Sequence, residues 1–117
     1  MKNESLRERL FAQFNILLPI SGGTGESIEN AVVITAEGCA RFVEVQFHVL
    51  DLVWKARGLP WELHKKSMHE HYDRMIDKLV IKTREVSEHN ISYRYENFFF
   101  DVTGCLETRL VTGNDLI

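Results

Sequence analysis

The sequence predicts a single α+β domain, with two or three helices packed on a mainly antiparallel sheet of about four or five strands. Three observations predict this class. The chain opens with apolar residues at helical spacing, β-branched runs surround a glycine-rich loop, and two further strand-like runs, 79–86 and 91–102, are joined by a turn at 87–90. A length of 117 residues, 44% of them hydrophobic and 26% charged, suits one globular domain spanning residues 1–117.

The first helix is predicted over residues 4–14. Ser5 and Glu8 stand in capping-box register, so that each can cap the backbone N–H of the other. Apolar residues then follow at helical spacing from Leu6 to Phe14. This pattern is typical of a short helix with one buried side.

A glycine-rich loop, Ser21–Ser27, lies between two predicted strands at 15–20 and 31–34. The second strand is apolar at successive positions, which indicates a central strand covered on both faces. A P-loop needs Gly-Lys-Ser/Thr, but here Gly25 is followed by Glu26, and the dinucleotide fingerprint is absent as well. We interpret the segment as a connecting loop whose glycines supply positive φ angles.

Residues 41–57 fit two structures. Valine and phenylalanine alternate with polar residues, as in a strand, yet polar side chains from Glu44 to Lys55 recur at steps of four, three and four, as on one stripe of a helix. Seventeen residues exceed a typical strand, and Gly58 stands where a helix-ending glycine would. We favour a helix, with a long bent strand as the alternative.

A more strongly patterned helix is predicted from Trp61 to Leu79. Pro60 suits its first turn, and an apolar stripe recurs at helical spacing. Opposite this stripe, charged residues stand every four positions from Glu62 to Lys78, where most neighbouring pairs attract.

Two strands, 79–86 and 91–102, are predicted beyond this helix, joined by a turn at 87–90. The apolar side chains change phase at Glu96 and Asn97, which predicts a β-bulge or a tight turn there. The tail to Ile117 retains apolar residues sufficient for one more strand or helical turn: Leu106, Leu110 and Val111.

Cysteine usage and hydropathy indicate a cytoplasmic protein. Cys39 and Cys105 are 66 positions apart and form neither a CxxC motif nor a zinc-ligand spacing, so we interpret them as small buried apolar residues and not as a disulfide or a catalytic thiol. The first apolar stretch is short and interrupted by Pro19, so we expect no secretory leader, and no run reaches about 18 apolar residues. We therefore expect no membrane contact.

The His64–Asp73 region holds the candidate metal ligands. On the predicted helix His69 and Asp73 are one turn apart and could share a metal ion, although the sequence resembles HExxH only until its last residue. No third ligand is evident nearby, and His64 and His71 are too far apart along a helix to share an ion. We therefore assign no metal, cofactor or catalytic residue, and leave metal binding by His69 and Asp73 open.

The aromatic cluster of Tyr93, Tyr95 and Phe98–Phe100 allows two interpretations. A stacking platform for nucleic-acid bases requires a basic groove, and the cluster itself holds only Arg94 among acidic neighbours. We therefore predict core packing, with Phe99 as the one ring that points outward and could anchor an interface. Together with the net charge of −3, this predicts no nucleic-acid partner.

Charge is distributed unevenly along the chain. Residues 55–85 carry eight Lys/Arg and five Asp/Glu, a local +3, whereas the remainder carries six and twelve, a local −6. We predict a non-catalytic module that binds another protein, or itself, through complementary charge, as a regulator, inhibitor or immunity-type partner does. The alternatives are a metal-dependent or hydrolase-like enzyme using the His64–Asp73 region, and a small-ligand binder with a cavity walled by Trp54, Trp61 and Phe98–Phe100.

Overall fold

The computed structural model describes residues 4–106 and confirms the α+β class. Within these residues one sheet holds five strands in the order β1-β2-β5-β4-β3, antiparallel except for the parallel pair β2–β5. The core lies between this sheet and the helices. In chain order the elements are α1 (Leu6–Phe14), β1 (Ile20–Gly22), β2 (Val32–Ile34), a 3₁₀ helix (Ala36–Arg41), α2 (Phe42–Arg57), β3 (Trp61–His71), β4 (Arg74–Val86) and β5 (Ile91–Asp101).

Helix α1 confirms the predicted first helix and its cap. The Ser5 hydroxyl accepts a hydrogen bond from the Glu8 backbone N–H, and the Glu8 carboxylate accepts one from the Ser5 backbone N–H, both at 3.1 Å. The helix ends at Asn15, which adopts the left-handed conformation. Leu6 and Leu10 are buried and fix this helix to the core.

Helix α2 confirms the favoured interpretation of residues 41–57. It begins at Phe42 and ends before Gly58, whose φ of 72° is the left-handed conformation in which glycine commonly ends a helix. Val49, Leu50 and Trp54 are buried along its inner side. A buried side of this length, apolar except for Gln46, fits a helix packed on a sheet.

The helix predicted from Trp61 to Leu79 is wrong, because this segment forms β3, a tight turn and the first part of β4. Tyr72 and Asp73 make the turn with φ angles of 49° and 63°, as a two-residue hairpin of type I′ requires. Pro60 therefore precedes a strand and does not open a helix.

Burial explains why the hairpin forms in place of this helix. The charged pairs that favoured the helix contribute only a few tenths of a kcal/mol each. In the hairpin, Leu79 and Ile81 are fully buried beneath the helices, and each buried aliphatic side chain contributes about 1.5–3 kcal/mol. Tertiary packing thus overrides the local helical pattern.

Strands β4 and β5 confirm the predicted strand, turn and returning strand. The predicted bulge or tight turn at Glu96 and Asn97 is wrong, since pairing is continuous along the whole length of β5. The apolar phase changes there because only the inner half of β5 lies over the core, where Phe98 and Phe100 are buried. The sheet does contain a bulge, but it lies in β3 between Leu63 and Lys65.

The predicted strand at 15–20 is wrong, because Asn15 caps α1 and β1 begins only at Ile20, so that it includes Ser21 and Gly22 of the predicted loop. Strand β2 confirms the predicted strand at 31–34 and lies between two other strands. Gly25 has a φ of 90°, and its carbonyl oxygen accepts a hydrogen bond of 2.9 Å from the Phe99 backbone N–H. A Cβ atom at this position would collide with the Phe98 ring. The glycine therefore lets the loop pack directly against β5.

Cys39 and Cys105 form a disulfide, so the prediction of unbonded cysteines is wrong. Their Cα atoms are 4.7 Å apart because the fold brings the 3₁₀ helix against the helical turn at 103–106, a proximity that the sequence separation conceals. The tail prediction beyond Leu106 lies outside the described residues. No helix in the described part of the chain is long and apolar enough to cross a membrane.

Candidate functional site

The predicted histidine region lies on strand β3 and its turn, not on a helix. His69 is within the strand and Asp73 is in the turn, so the two do not share a helical turn. His64 instead packs against the Tyr95 ring with centroids 4.9 Å apart, and His69 Nε2 lies 2.8 Å from Ser67 Oγ. Among residues 4–106, no group of three or more His, Cys, Asp or Glu side chains is arranged to hold a metal ion.

A groove of about 520 Å³ lies between α1, α2 and β5. Of the side chains predicted to wall a ligand cavity, Trp54 and Phe98 line it, whereas Trp61 lines a different groove. The Arg57 guanidinium stacks 4.4 Å from the Trp54 ring centre and donates to Glu96 at 2.7 Å. The charge of Arg57 is therefore already engaged within the groove wall.

Strand alternation divides β3, β4 and β5 into two sides. One side packs on the helices, where Trp54 Nε1 donates to Thr83 Oγ1 at 2.8 Å and Phe98 contacts the Trp54 ring. The opposite side we call the open face. Its residues are Glu62, His64, Lys65, Ser67, His69, Lys78, Val80, Lys82, Arg84, Tyr93, Tyr95, Asn97 and Phe99.

Cationic side chains of β4 stand directly opposite aromatic side chains of β5 on the open face. Side chains that face each other across antiparallel strands have Cβ atoms about 4.5–5.5 Å apart, close enough for contact. A cation and a ring also meet along the diagonal between these pairs, since the Lys82 ammonium lies 4.4 Å from the centre of the Tyr93 ring. The pairs are Arg84 with Tyr93, Lys82 with Tyr95, and Lys78 with Phe99.

The bulge in β3 adds a further cation to this face. Two residues, His64 and Lys65, oppose the single residue Val80, so both side chains emerge on the same side. Lys82 is 3.7 Å from the Glu62 carboxylate. Within the described residues, the other three cations of the open face make no ion pair: Lys65, Lys78 and Arg84.

Two shallow grooves open on this face. One, of about 300 Å³, is lined by Arg84 and Tyr93 together with the start of β3. The other, of about 430 Å³, is lined by Lys78 and Phe99 together with Ile28 of the β1–β2 loop. Each groove therefore contains one of the cross-strand pairs of a cation and an aromatic ring.

At the other end of β4 and β5, on the same side of the sheet as the open face, side chains form a partly buried cluster around Asp101. Arg74 Nε donates to Asp101 Oδ2 at 2.7 Å, and the Thr103 hydroxyl and backbone N–H donate to Asp101 Oδ1 at 2.6 and 3.0 Å. Burial raises the pKa of Asp101, but the hydrogen bonds from Arg74 and Thr103 and the Arg74 charge outweigh burial and lower it below the ordinary value. Ile76 is buried beside this cluster, which anchors the end of β5.

The structure confirms one part of the prediction for the aromatic cluster and contradicts the other. Phe98 and Phe100 are buried and Phe99 lies on the open face, as predicted. The prediction that Tyr93 and Tyr95 pack in the core is wrong, since their side chains are 53% and 51% exposed. Few cations are near these rings in the sequence, but the cations of β4 lie beside them in the sheet. Pairing the two predicted strands across their predicted turn could have revealed this arrangement.

Comparison with known proteins gives no further guide to this site. No protein-family model matches the chain, and neither the curated proteins nor the solved structures include one that is detectably similar. The function must therefore be argued from the residues of the site.

Proposed function

We propose that this chain is a small non-catalytic module that binds another protein through its open face. The observation that carries the proposal is a set of cations that make no ion pair with any residue from 4 to 106, Lys65, Lys78 and Arg84, beside the half-exposed rings of Tyr93 and Tyr95. Cations on an exposed surface steer a partner of opposite charge. Tyrosine and arginine are also the residue types on which binding energy most often depends at protein interfaces.

The charge distribution supports the same proposal. The segment with a local charge of +3, residues 55–85, supplies β3 and β4, and these strands bear the cations of the open face. The remainder of the chain has a net charge of −6. A molecule with one positive face and an otherwise negative charge orients an acidic partner toward that face.

A role as a regulator, inhibitor or immunity-type partner fits such a module, and the proposal includes a cytoplasmic location. Reducing compartments keep cysteine thiols unbonded. This location therefore requires that the fold persist when Cys39 and Cys105 are reduced.

Capture with matched variants tests the proposal. Immobilised wild-type protein should retain a partner protein that Tyr93→Ser/Tyr95→Ser does not retain. The control is Phe11→Ser/Leu17→Ser, which removes side chains of similar exposure, 47% and 57%, from the α1 region. The proposal is contradicted if the open-face variant and the control retain the same proteins equally.

Small-ligand binding is the second candidate function, because the groove beside Trp54 has a volume of about 520 Å³, within the range of ligand pockets. A ligand that occupies it should raise the melting temperature of the wild type. The shift should disappear in Gln13→Trp, which fills the groove from an exposed position of α1.

A further inference from the structure

We infer that the partner presents an extended acidic segment that lies along β4 and places one carboxylate in each groove of the open face. This inference rests on the proposed function and names the chemistry of the partner. It follows from the spacing of the grooves, the charges within them and the contacts of the two tyrosine rings.

The grooves are separated by a distance that an extended peptide matches. Lys78 in one groove and Arg84 in the other are six positions apart on β4, which corresponds to about 20 Å at the rise of a strand. An extended segment has the same rise, and every second side chain points to the same side. A stretch of about seven residues therefore reaches both grooves with its side chains in phase with those of β4.

Each groove contains one carboxylate of its own and one cation that this carboxylate does not pair with. In one groove Glu62 pairs with Lys82, which leaves Arg84. In the other groove Glu26 accepts a hydrogen bond from the Thr24 hydroxyl, which leaves Lys78.

Lys78 and Arg84 each offer N–H donors without a carboxylate partner among residues 4–106, and Lys65 lies on the same face between them. Ion pairs with hydrogen bonds are shorter and stronger than neutral hydrogen bonds. An acidic side chain at each end of the segment would therefore form an ion pair with Lys78 or Arg84. An apolar side chain at the same position would remove water from the cation without replacing it by a partner.

The tyrosine contacts favour a protein segment over single-stranded nucleic acid. Base stacking requires a flat ring surface, but the Lys82 ammonium lies 4.4 Å from the Tyr93 ring centre and the His64 ring packs 4.9 Å from that of Tyr95. Glu26 lines the same groove as Lys78. A peptide can direct one carboxylate to Lys78 and place the neutral residue next to it beside Glu26, whereas a nucleic acid carries a phosphate at every nucleotide.

A labelled synthetic peptide tests the inference by fluorescence anisotropy at low salt. The probe alternates glutamate with threonine over about ten residues, long enough to span both grooves. Its controls are the same peptide with glutamine at each glutamate position, and its two halves, each of which reaches one groove only. A single-stranded DNA oligonucleotide of equal charge is the competing probe.

The protein variants are chosen to keep the fold. Lys65→Glu/Arg84→Glu reverses two exposed cations of the open face, and Arg7→Glu/Lys55→Glu makes the same change of net charge on the helices. We expect the alternating acidic peptide to bind the wild type and the helix control equally, and the open-face variant at least about tenfold more weakly. The halves and the glutamine peptide should also bind at least about tenfold more weakly than the full probe.

Four results would overturn the inference: no binding of the acidic peptide, equal weakening by both charge reversals, equal binding by the half-length peptides, or tighter binding of the oligonucleotide. None of these depends on the capture experiment. If capture of a partner still requires Tyr93 and Tyr95 when the peptide fails, the proposed function stands and only the acidic segment is rejected.

Discussion

Gln46 Nε2 donates a hydrogen bond of 2.7 Å to Asp77 Oδ2, and both side chains are buried between α2 and the centre of the sheet. The Lys66 ammonium completes the cluster, 3.2 Å from Gln46 Oε1 and 3.6 Å from Asp77 Oδ2. Within the described residues no buried side-chain polar atom lacks a hydrogen-bond partner. This cluster therefore ties α2 to both β3 and β4 without leaving an uncompensated polar group.

Replacing Gln46 by leucine should destabilise the protein by about 2–4 kcal/mol, because it leaves the Asp77 carboxylate buried without its closest donor. Urea denaturation measures the loss. The double variant Gln46→Leu/Asp77→Leu should be more stable than the single variant, since Lys66 is partly exposed and can turn to water. A single variant as stable as the wild type would show that Gln46 contributes nothing to the cluster.

The sequence was sufficient to predict elements whose signal is local. The capping box of Ser5 and Glu8, the helix-ending Gly58 and the turn at 87–90 are all specified by residues close to one another in the chain. Their conformations depend little on the rest of the fold, so the predictions were confirmed.

Pairing the predicted strands 79–86 and 91–102 could have placed cations opposite aromatic rings, but the complete open face also includes residues of β3. Recognising it required β3 to be a strand, but the residues from Trp61 to Leu79 also satisfy a helical pattern. The turn at Tyr72 and Asp73 lacks the Asn-Gly or Asp-Gly pair that usually announces a two-residue hairpin. The deciding contribution is burial of β4 beneath the helices, which no local pattern contains.

The turn itself provides a test of the hairpin. Tyr72 and Asp73 both hold a positive φ, which costs residues with side chains about 1–2 kcal/mol each relative to a right-handed conformation. Tyr72→Asn/Asp73→Gly installs the preferred pair and should raise the free energy of unfolding by about 1 kcal/mol. If this segment were a helix, glycine at position 73 would lower the free energy of unfolding by about 1 kcal/mol. The sign of the change in urea denaturation therefore separates the two structures.

The Asp101 cluster predicts a pH dependence of stability. Because the folded-state pKa of Asp101 is lowered, its ionised form stabilises the native state above the ordinary aspartate pKa of about 3.9, and this contribution is lost as pH falls through the lowered folded-state pKa. Asp101→Asn should therefore cost about 1–3 kcal/mol at neutral pH. The difference from the wild type should shrink as the pH falls below about 4.

Thermal unfolding of both proteins from pH 7 to acid measures this difference. Glu44→Gln is the control, since Glu44 is exposed and its ion pair with Arg41 is 3.7 Å long. That variant should have the same melting temperature as the wild type at every pH. A penalty for Asp101→Asn that stays constant into acid would contradict the role assigned to the ionised carboxylate.

Reduction of the Cys39–Cys105 disulfide tests both the fold and the proposed location. The bond closes a loop with a sequence separation of 66, for which chain entropy predicts a stabilisation of about 4 kcal/mol. Guanidinium denaturation with and without dithiothreitol should show this loss in the wild type. Cys39→Ala/Cys105→Ala should match the reduced wild type and not respond to reductant.

The size of the loss decides whether the cytoplasmic proposal holds. A domain of this length has a total stability of about 6–17 kcal/mol, so losing about 4 kcal/mol should leave the reduced protein folded. The two cysteines lie at the 3₁₀ helix and the turn at 103–106, away from the cations and rings of the open face. The reduced protein should therefore bind its partner as the oxidised protein does. Unfolding on reduction would contradict a cytoplasmic location, whereas an unchanged denaturation midpoint would contradict the expected stabilisation by the bond.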